Sequence, residues 1–181
     1  VIILTHCYYG YRASGGPAGV AAAVYAGAEG LRAIPHMVEA MQERVHIGGA
    51  PFLGICVGMQ LLASRGVEHG ITQGLGWIDA EVKRLDAGPA DKPRQLPHMG
   101  WNDVKPLSRE GLFAGFDDTP RFYFLHSYYF APNSPADRLA ESDYGTSFAC
   151  AVRHGHVHGV QFHPEKSHAW GIQLLKNFAT L

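Results

Sequence analysis

Charge is scarce in this chain. Charged residues make up 17% of it and the formal net charge is −1, so nothing global draws it to nucleic acid or to an anionic membrane. Cysteine is scarcer still, with Cys7, Cys56 and Cys150 the only three. An odd number at irregular spacing excludes a regular disulfide framework and fits a reducing compartment, so the expected location is cytoplasmic. No apolar run reaches membrane-spanning length. The opening VIILTHCYYGYR has no basic stretch ahead of its apolar residues, which makes it a poor signal peptide. It starts at Val, which is expected of a fragment or a processed product. Repeats, low-complexity tracts and linkers are also missing. What is present is 46% apolar residues in a chain of 181, enough for one domain with a sizeable core.

Hydrophobic patterning predicts a short buried strand at 1–4 and then a Gly-rich loop over YYGYRASGGPAGVAAA. A helix follows from about Pro35, with Met37, Val38, Met41 and Val45 at helical spacing. APFLGI reads as an apolar strand, and MQLLASRG as a helix that stops at Gly66. GLGWIDAEVKRL and RFYFLHSYYFA alternate as strands or hairpins do. SFACAVRHGHVHGVQFHP reads as two strands around a turn at His154-Gly155. The closing GIQLLKNFATL places Ile172, Leu175 and Phe178 on one helix face. Helix–strand alternation early and hairpins in the middle predict α/β layers with an antiparallel extension.

One junction carries chemistry. Gly54-Ile55-Cys56-Val57-Gly58 follows an apolar strand and precedes a helix, the nucleophile-elbow pattern with Cys in place of Ser. A tight strand-to-helix turn holds its central residue in a strained conformation with the side chain at the top of the sheet. Flanking glycines remove side chains that would collide there. The helix N-terminus favours a thiolate, and the N–H of Val57 is placed to bind an oxyanion. The competing reading is a cysteine buried for packing, since free Cys is among the most buried residue types; packing alone needs neither glycine.

A thiol nucleophile needs a base, and the base needs an orienter. Eleven histidines are available, so presence alone decides little. In Gln161-Phe162-His163-Pro164-Glu165, His163 ends a predicted strand and Pro164 fixes the turn. Glu165 follows two positions after the histidine, close enough to hold one tautomer while the other nitrogen faces the thiol. A strand-end His-Pro-Glu turn with a solvated Glu is the alternative.

Together these stretches resemble the class I (triad) glutamine amidotransferases, with a G-x-C-x-G elbow and an H-P-E segment near the C-terminus. The resemblance runs from about Gly30 to Leu181. LPHMGWNDV (96–104), FYFLHSYYF (122–130), ESDYG (141–145) and GVQFHPEKS (159–167) are similar to the glutaminase subunits of imidazole glycerol phosphate synthases, of histidine biosynthesis. The Pro-His-Met-Gly-Trp-Asn run is the most specific of these. The resemblance implies a single amidotransferase domain over 1–181, built on a mostly parallel sheet flanked by helices with an antiparallel hairpin extension. It implies that Cys56 attacks the glutamine amide, that His163 acts as acid and then base, and that Glu165 orients His163. Ammonia would pass to a cyclase partner, a (β/α)8 barrel in a heterodimer, which makes imidazole glycerol phosphate and an aminoimidazole carboxamide ribotide. No metal or organic cofactor is implied.

The same resemblance assigns contacts. Gln60 matches the glutamine-binding Gln and Glu68 an acidic position for the substrate ammonium, with a solvated turn residue as the alternative for Glu68. His126, Ser127 and Tyr128 match the segment lining the glutamine pocket, and a bland reading of 122–130 is an alternating core strand. Pro97, His98, Met99, Gly100, Trp101, Asn102, Tyr123 and Lys166 match positions facing the cyclase. Val57 and Gly19 would supply oxyanion donors. His154, His156 and His158 raise the question of a metal site, but no cysteine or carboxylate accompanies them locally, so an exposed hairpin tip is preferred.

The first thirty residues depart from the pattern. Pro17-Ala18-Gly19-Val20-Ala21 is the nearest match to the family's P-G-V-G oxyanion strand, and THCYYGY replaces the usual D-Y-G-x-G-N opening. A βαβ unit, on the order of 30 residues, is expected to be missing or replaced. A catalytically impaired partner or fragment, or another class I amidotransferase, is therefore the second reading. A cysteine hydrolase or peptidase is a third, disfavoured by the PHMGWN run.

Overall fold

The structure is a computed structural model describing residues 2–4, 35–68, 70–86, 88–89, 91, 93–116 and 118–181, the first three through their backbone alone. The expectations for Cys7, Gly19 and the glycine-rich opening lie outside the described residues. In chain order the strands are β1 (Ile2–Leu4), β2 (Phe52–Ile55), β3 (Arg65–Gly66), β4 (Thr72–Gln73), β5 (Ala80–Arg84), β6 (His98–Asp103), β7 (Lys105–Pro106), β8 (Arg121–His126), β9 (Tyr128–Pro132), β10 (Arg138–Asp143), β11 (Ser147–His154) and β12 (Val157–Val160). The α-helices are α1 (Pro35–Gln42), α2 (Val57–Gln60) and α3 (His168–Ala179).

Among the described residues one sheet runs β1-β2-β12-β11-β9-β5-β3-β4, with β10 joining β11 and β7. β2 lies between β1 and β12 and is parallel to both, and every residue of it is buried, as expected of a strand covered on both faces. The pairs β12–β11, β11–β9 and β9–β5 are antiparallel. β6 and β8 form a separate antiparallel pair. The expected α/β layering is present, but among the described strands the sheet is mixed and not mostly parallel: only β1–β2, β2–β12 and β3–β5 pair parallel, because the hairpin-connected strands from β9 to β12 join the sheet itself.

Side-chain alternation along β2 divides the core in two. Leu53 and Ile55 face a cluster containing Phe122, Phe124, Phe162, Leu174 and Phe178. Phe52 faces the other way, toward Met41, Met59, Leu62, Trp77 and Val82. The rings of Phe122 and Phe162 stack at 4.0 Å, and burial of each such side chain contributes about 1.5–3 kcal/mol. This packing joins the separate pair β6–β8 to the main sheet and brings its end beside the C-terminal ends of β2 and β12.

Four expectations change. The helix after the elbow ends at Gln60, not Gly66. The carbonyls of Leu61, Leu62 and Ala63 accept from the N–H groups of Leu75, Ile78 and Gly76 instead of continuing a helix. On α3 the buried positions are Gly171, Leu174 and Phe178, while Ile172 is exposed. Gly171 sets this rotation, because a Cβ there would lie 1.8 Å from the Pro164 carbonyl oxygen. β12 ends at Val160, and His163 instead meets Tyr123 through an isolated bridge, its N–H donating to the Tyr123 carbonyl at 2.8 Å. The β11–β12 hairpin turns at Gly155-His156, and its histidines are not all at an exposed tip. His158 is buried, 5.9 Å from the Phe178 ring, whereas His154 pairs with Asp137 at 2.9 Å.

Candidate active site

Cys56 sits between β2 and α2 at φ 54 and ψ −110, a conformation that side chains rarely adopt. Its N–H donates to the Val160 carbonyl at 2.8 Å, which fastens the end of β2 to the end of β12. Gly54 is required by the turn: a Cβ there would lie 2.5 Å from the Gly58 carbonyl oxygen and 2.7 Å from the Met59 nitrogen. Val57 opens α2, so its N–H has no partner within the helix.

His163 arrives from the β12 side. Its Nδ1 is 2.7 Å from Oε1 of Glu165. Its buried Nε2 has no hydrogen-bond partner, and the Cys56 sulfur lies near enough to act on the ring's titration. Burial alone would lower the His163 pKa; the Cys56 sulfur and the Glu165 carboxylate outweigh it and raise the pKa to about 9. Burial would raise Glu165, but the hydrogen bond and charge of His163 bring it below the usual carboxylate value. Ser167 holds the turn. Its Oγ accepts from the Tyr123 N–H at 3.0 Å and donates to the His163 carbonyl at 2.6 Å.

A second set of polar groups reaches the sulfur. Nε2 of Gln60 donates to the Tyr128 carbonyl at 3.0 Å and to Oε1 of Gln161 at 3.1 Å. Nε2 of Gln161 lies 3.8 Å from the Cys56 sulfur. The Leu125 carbonyl is 3.8 Å from the same sulfur. His126 is buried, with both ring nitrogens in hydrogen bonds to His98 and to the Tyr128 carbonyl. Ser127 is half-buried between β8 and β9. Glu68 is exposed in the turn that follows β3.

Gln161 and Ser167 carry no expected role from sequence, although both lie inside GVQFHPEKS. The available signal was a polar residue within an apolar run, since a buried polar side chain needs a hydrogen-bonding reason to be there.

The residues assigned to a partner face divide by strand alternation. Met99 is 61% and Trp101 42% exposed, and they lie opposite Leu125 and Tyr123 on one side of the β6–β8 pair. Lys166 lies over the Tyr123 ring at 5.9 Å, and His168 stacks on Trp101 at 5.4 Å. Pro97 is exposed and Gly100 half-buried. His98 points the other way and is only 3% exposed, so it cannot contribute to that surface. Asn102 is half-buried and hydrogen-bonded inward to His98 and to the Asp143 carbonyl. Among the described residues no group of histidine, cysteine, aspartate and glutamate has the arrangement of a metal site, and no helix is long and apolar enough to cross a membrane.

The family described as Glutamine amidotransferase class-I matches residues 8–180. An imidazole glycerol phosphate synthase subunit HisH of Bdellovibrio bacteriovorus is 48% identical over 145 residues, which is 80% of this chain and 71% of that protein. The protein of the same description from Caulobacter vibrioides is 49% identical over 140 residues, 77% of this chain and 65% of its own length. The chain thus spans about two thirds of these relatives. The fold is similar to that of a solved glutamine amidotransferase, with a TM-score of 0.59 and 21% identity, covering 84% of this chain and 72% of that one. A glutamine amidotransferase from Thermotoga maritima gives a TM-score of 0.53 at 24% identity, covering 87% and 60%.

Proposed function

Because the chain belongs to the class-I glutamine amidotransferases, we propose that it hydrolyses glutamine at Cys56 as the glutaminase subunit of an imidazole glycerol phosphate synthase. One observation carries the chemistry: a buried imidazole held by Glu165 at 2.7 Å on Nδ1, its Nε2 left without a hydrogen-bond partner, and its pKa raised by the Cys56 sulfur as well as by Glu165. The names of the relatives, at 48% and 49% identity, carry the pathway.

The thiolate of Cys56 adds to the side-chain amide carbon of glutamine. The developing oxyanion is met by the Val57 N–H and, in this reading, by the backbone around Gly19. Protonated His163, with a pKa raised to about 9, donates from Nε2 to the departing amine, and the C–N bond breaks to give ammonia and a glutamyl thioester. Neutral His163 then takes a proton from water, which attacks the thioester and releases glutamate and the Cys56 thiolate. Glu165 keeps the imidazole oriented throughout. Gln60 uses both amide N–H groups internally, leaving its oxygen for the substrate, and Ser127, Tyr128 and Glu68 complete the proposed pocket. The exposed Met99, Trp101, Tyr123 and Leu125 offer the face for a cyclase subunit, with Pro97, Gly100 and Lys166 beside them. A cytoplasmic location fits this reading.

Glutamate release by the purified chain tests the proposal, alone and with a cyclase subunit and its nucleotide. Slow release accelerated by the cyclase is expected. Release insensitive to every cyclase tried would remove the histidine-pathway assignment. No release under any condition would leave only a catalytically impaired relative.

A further inference from the structure

A continuous hydrogen-bonded chain crosses the protein from β6 to the nucleophile. Nδ2 of Asn102 lies 3.2 Å from Nε2 of His98, Nδ1 of His98 lies 3.0 Å from Nε2 of His126, and Nδ1 of His126 lies 2.8 Å from the Tyr128 carbonyl oxygen. That carbonyl also accepts from Gln60, Gln60 donates to Gln161, and Gln161 points its amide at the Cys56 sulfur.

Carbonyl acceptors fix the polarity of the whole chain. The Tyr128 carbonyl can only accept, so Nδ1 of His126 carries hydrogen. In the neutral ring Nε2 is then bare, and His98 must present Nδ1–H to it. Nε2 of His98 is bare in turn, so Asn102 must present its NH2. That orientation agrees with the far end, where the same Asn102 nitrogen donates to the Asp143 carbonyl at 2.8 Å. Protonating either ring would set two N–H donors against each other at one of these links. The same carbonyl orients Gln60 with nitrogen toward Tyr128, which makes its contact with Gln161 a donation. Gln161 therefore presents N–H, and not oxygen, to the sulfur.

We infer that His98 and His126 are positioning residues for the glutaminase reaction: a pair of neutral imidazoles in fixed tautomers that set the Tyr128 carbonyl, and through Gln60 and Gln161 the donor facing Cys56. The environment is built for this. Phe124 and Tyr144 stack on the two sides of His98 at 4.7 Å and 4.1 Å, and both histidines are buried. The inference rests on the proposed glutaminase reading, which it deepens. It also gives an inward-facing role to His98 and Asn102 on the same strand that carries Met99 and Trp101 outward.

The test uses the full chain at a temperature well below each variant's melting point. Two rates are measured: kcat/KM for glutamine, and alkylation of Cys56 by iodoacetamide, which needs no glutaminase activity. His126→Leu and His98→Leu are expected to slow both about tenfold, the effect of losing a buried hydrogen bond. His126→Asn, whose amide can still donate to the Tyr128 carbonyl, is expected to recover most of the loss. Nitrogen-15 NMR of the wild-type chain at pH 7 is expected to show hydrogen on Nδ1 and a bare Nε2 in both rings, a readout that does not depend on any variant folding. Folded leucine variants with wild-type rates would overturn the inference, as would the opposite tautomer or a charged ring at pH 7. A wild-type chain without glutaminase activity would sink the proposed function instead, and the alkylation rates would still decide the relay.

Discussion

Nδ1 of His163 and Oε1 of Glu165 are 2.7 Å apart, although only one residue separates them in the chain. Pro164 opens a short 3-10 turn that folds the carboxylate back onto the ring, and Ser167 clamps the His163 carbonyl. In the neutral ring the contact places hydrogen on Nδ1 and leaves Nε2, which has no other hydrogen-bond partner, for the reaction. Glu165→Gln preserves the shape and can still accept from Nδ1–H, but it removes the negative charge. The expected result is a kcat lower by roughly 10²–10⁴, the usual scale of a well-placed acid–base group. Loss of the charge also lowers the His163 pKa from about 9, so the alkaline limb of the rate profile moves toward neutral pH. A pH–rate profile of the variant that keeps the wild-type limb would refute the assignment of Glu165.

Cys56 is held at φ 54 by the turn, not by its own preference. A non-glycine residue in such a region stores about 1–3 kcal/mol, offset by about 0.5–1 kcal/mol of extra backbone entropy when glycine replaces it. Cys56→Gly should therefore be more stable than Cys56→Ala, although both lack the nucleophile. For a chain of this size about 1 kcal/mol corresponds to roughly 2–4 °C in Tm. Thermal melts of the two variants decide it: if the glycine variant melts at or below the alanine variant, the elbow is not strained.

Much of this was legible in the sequence because local rules carried it. Gly54, Cys56 and Gly58 announce a strand-to-helix turn, and His163 with Glu165 announces an oriented base. The His98–His126–Gln60–Gln161 chain was not legible. Its members come from four separate segments, and only the packing of β6–β8 against the end of β2 brings them together. The length of α2 was missed for a similar reason, since its continuation is blocked by donors from residues 75–78. Ile172 and Gly171 show the limit of periodicity. The spacing of Ile172, Leu175 and Phe178 is helical, but a one-residue rotation was decided by the close approach of Gly171 to Pro164.

That approach gives a test linking the last helix to the catalytic turn. In Gly171→Ala the new methyl would meet the Pro164 carbonyl at 1.8 Å, with backbone on both sides. Either α3 or the His163–Glu165 turn must move. The expected outcome is a loss of about 1–3 kcal/mol, typical of overpacking, together with a fall in kcat because the displaced turn carries the base. Ile172→Ala, on the exposed side of the same helix turn, should stay within about 0.5 kcal/mol and keep its activity. A Gly171→Ala protein that melts and turns over like wild type would mean that α3 is not seated against the turn as described.

Stability should peak near the ordinary histidine pKa of 6.5, because buried histidines act in opposite senses on either side of it. Burial lowers His98 to about 4. Burial, opposed by the Tyr128 carbonyl and aided by the charges of His98 and His163, lowers His126 to about 3. Burial lowers His158 as well. For these groups the unfolded chain binds protons below 6.5 that the folded chain refuses. Their contribution is complete above 6.5 and is lost as pH falls toward 4 and 3. Glu165, held below its ordinary value, adds stability that is also lost on acidification. His163 runs the other way. With its pKa raised to about 9, its contribution is complete below 6.5 and is lost as pH rises through 9. Each fully shifted histidine steepens its limb by up to about 1.4 kcal/mol per pH unit. Urea unfolding between pH 4 and pH 9 measures both limbs. His98→Asn should flatten the acid limb and leave the alkaline one, whereas His163→Asn should flatten the alkaline limb. An acid limb of unchanged slope in His98→Asn would show that His98 does not resist protonation in the folded chain, and the neutral pair it forms with His126 would lose its basis.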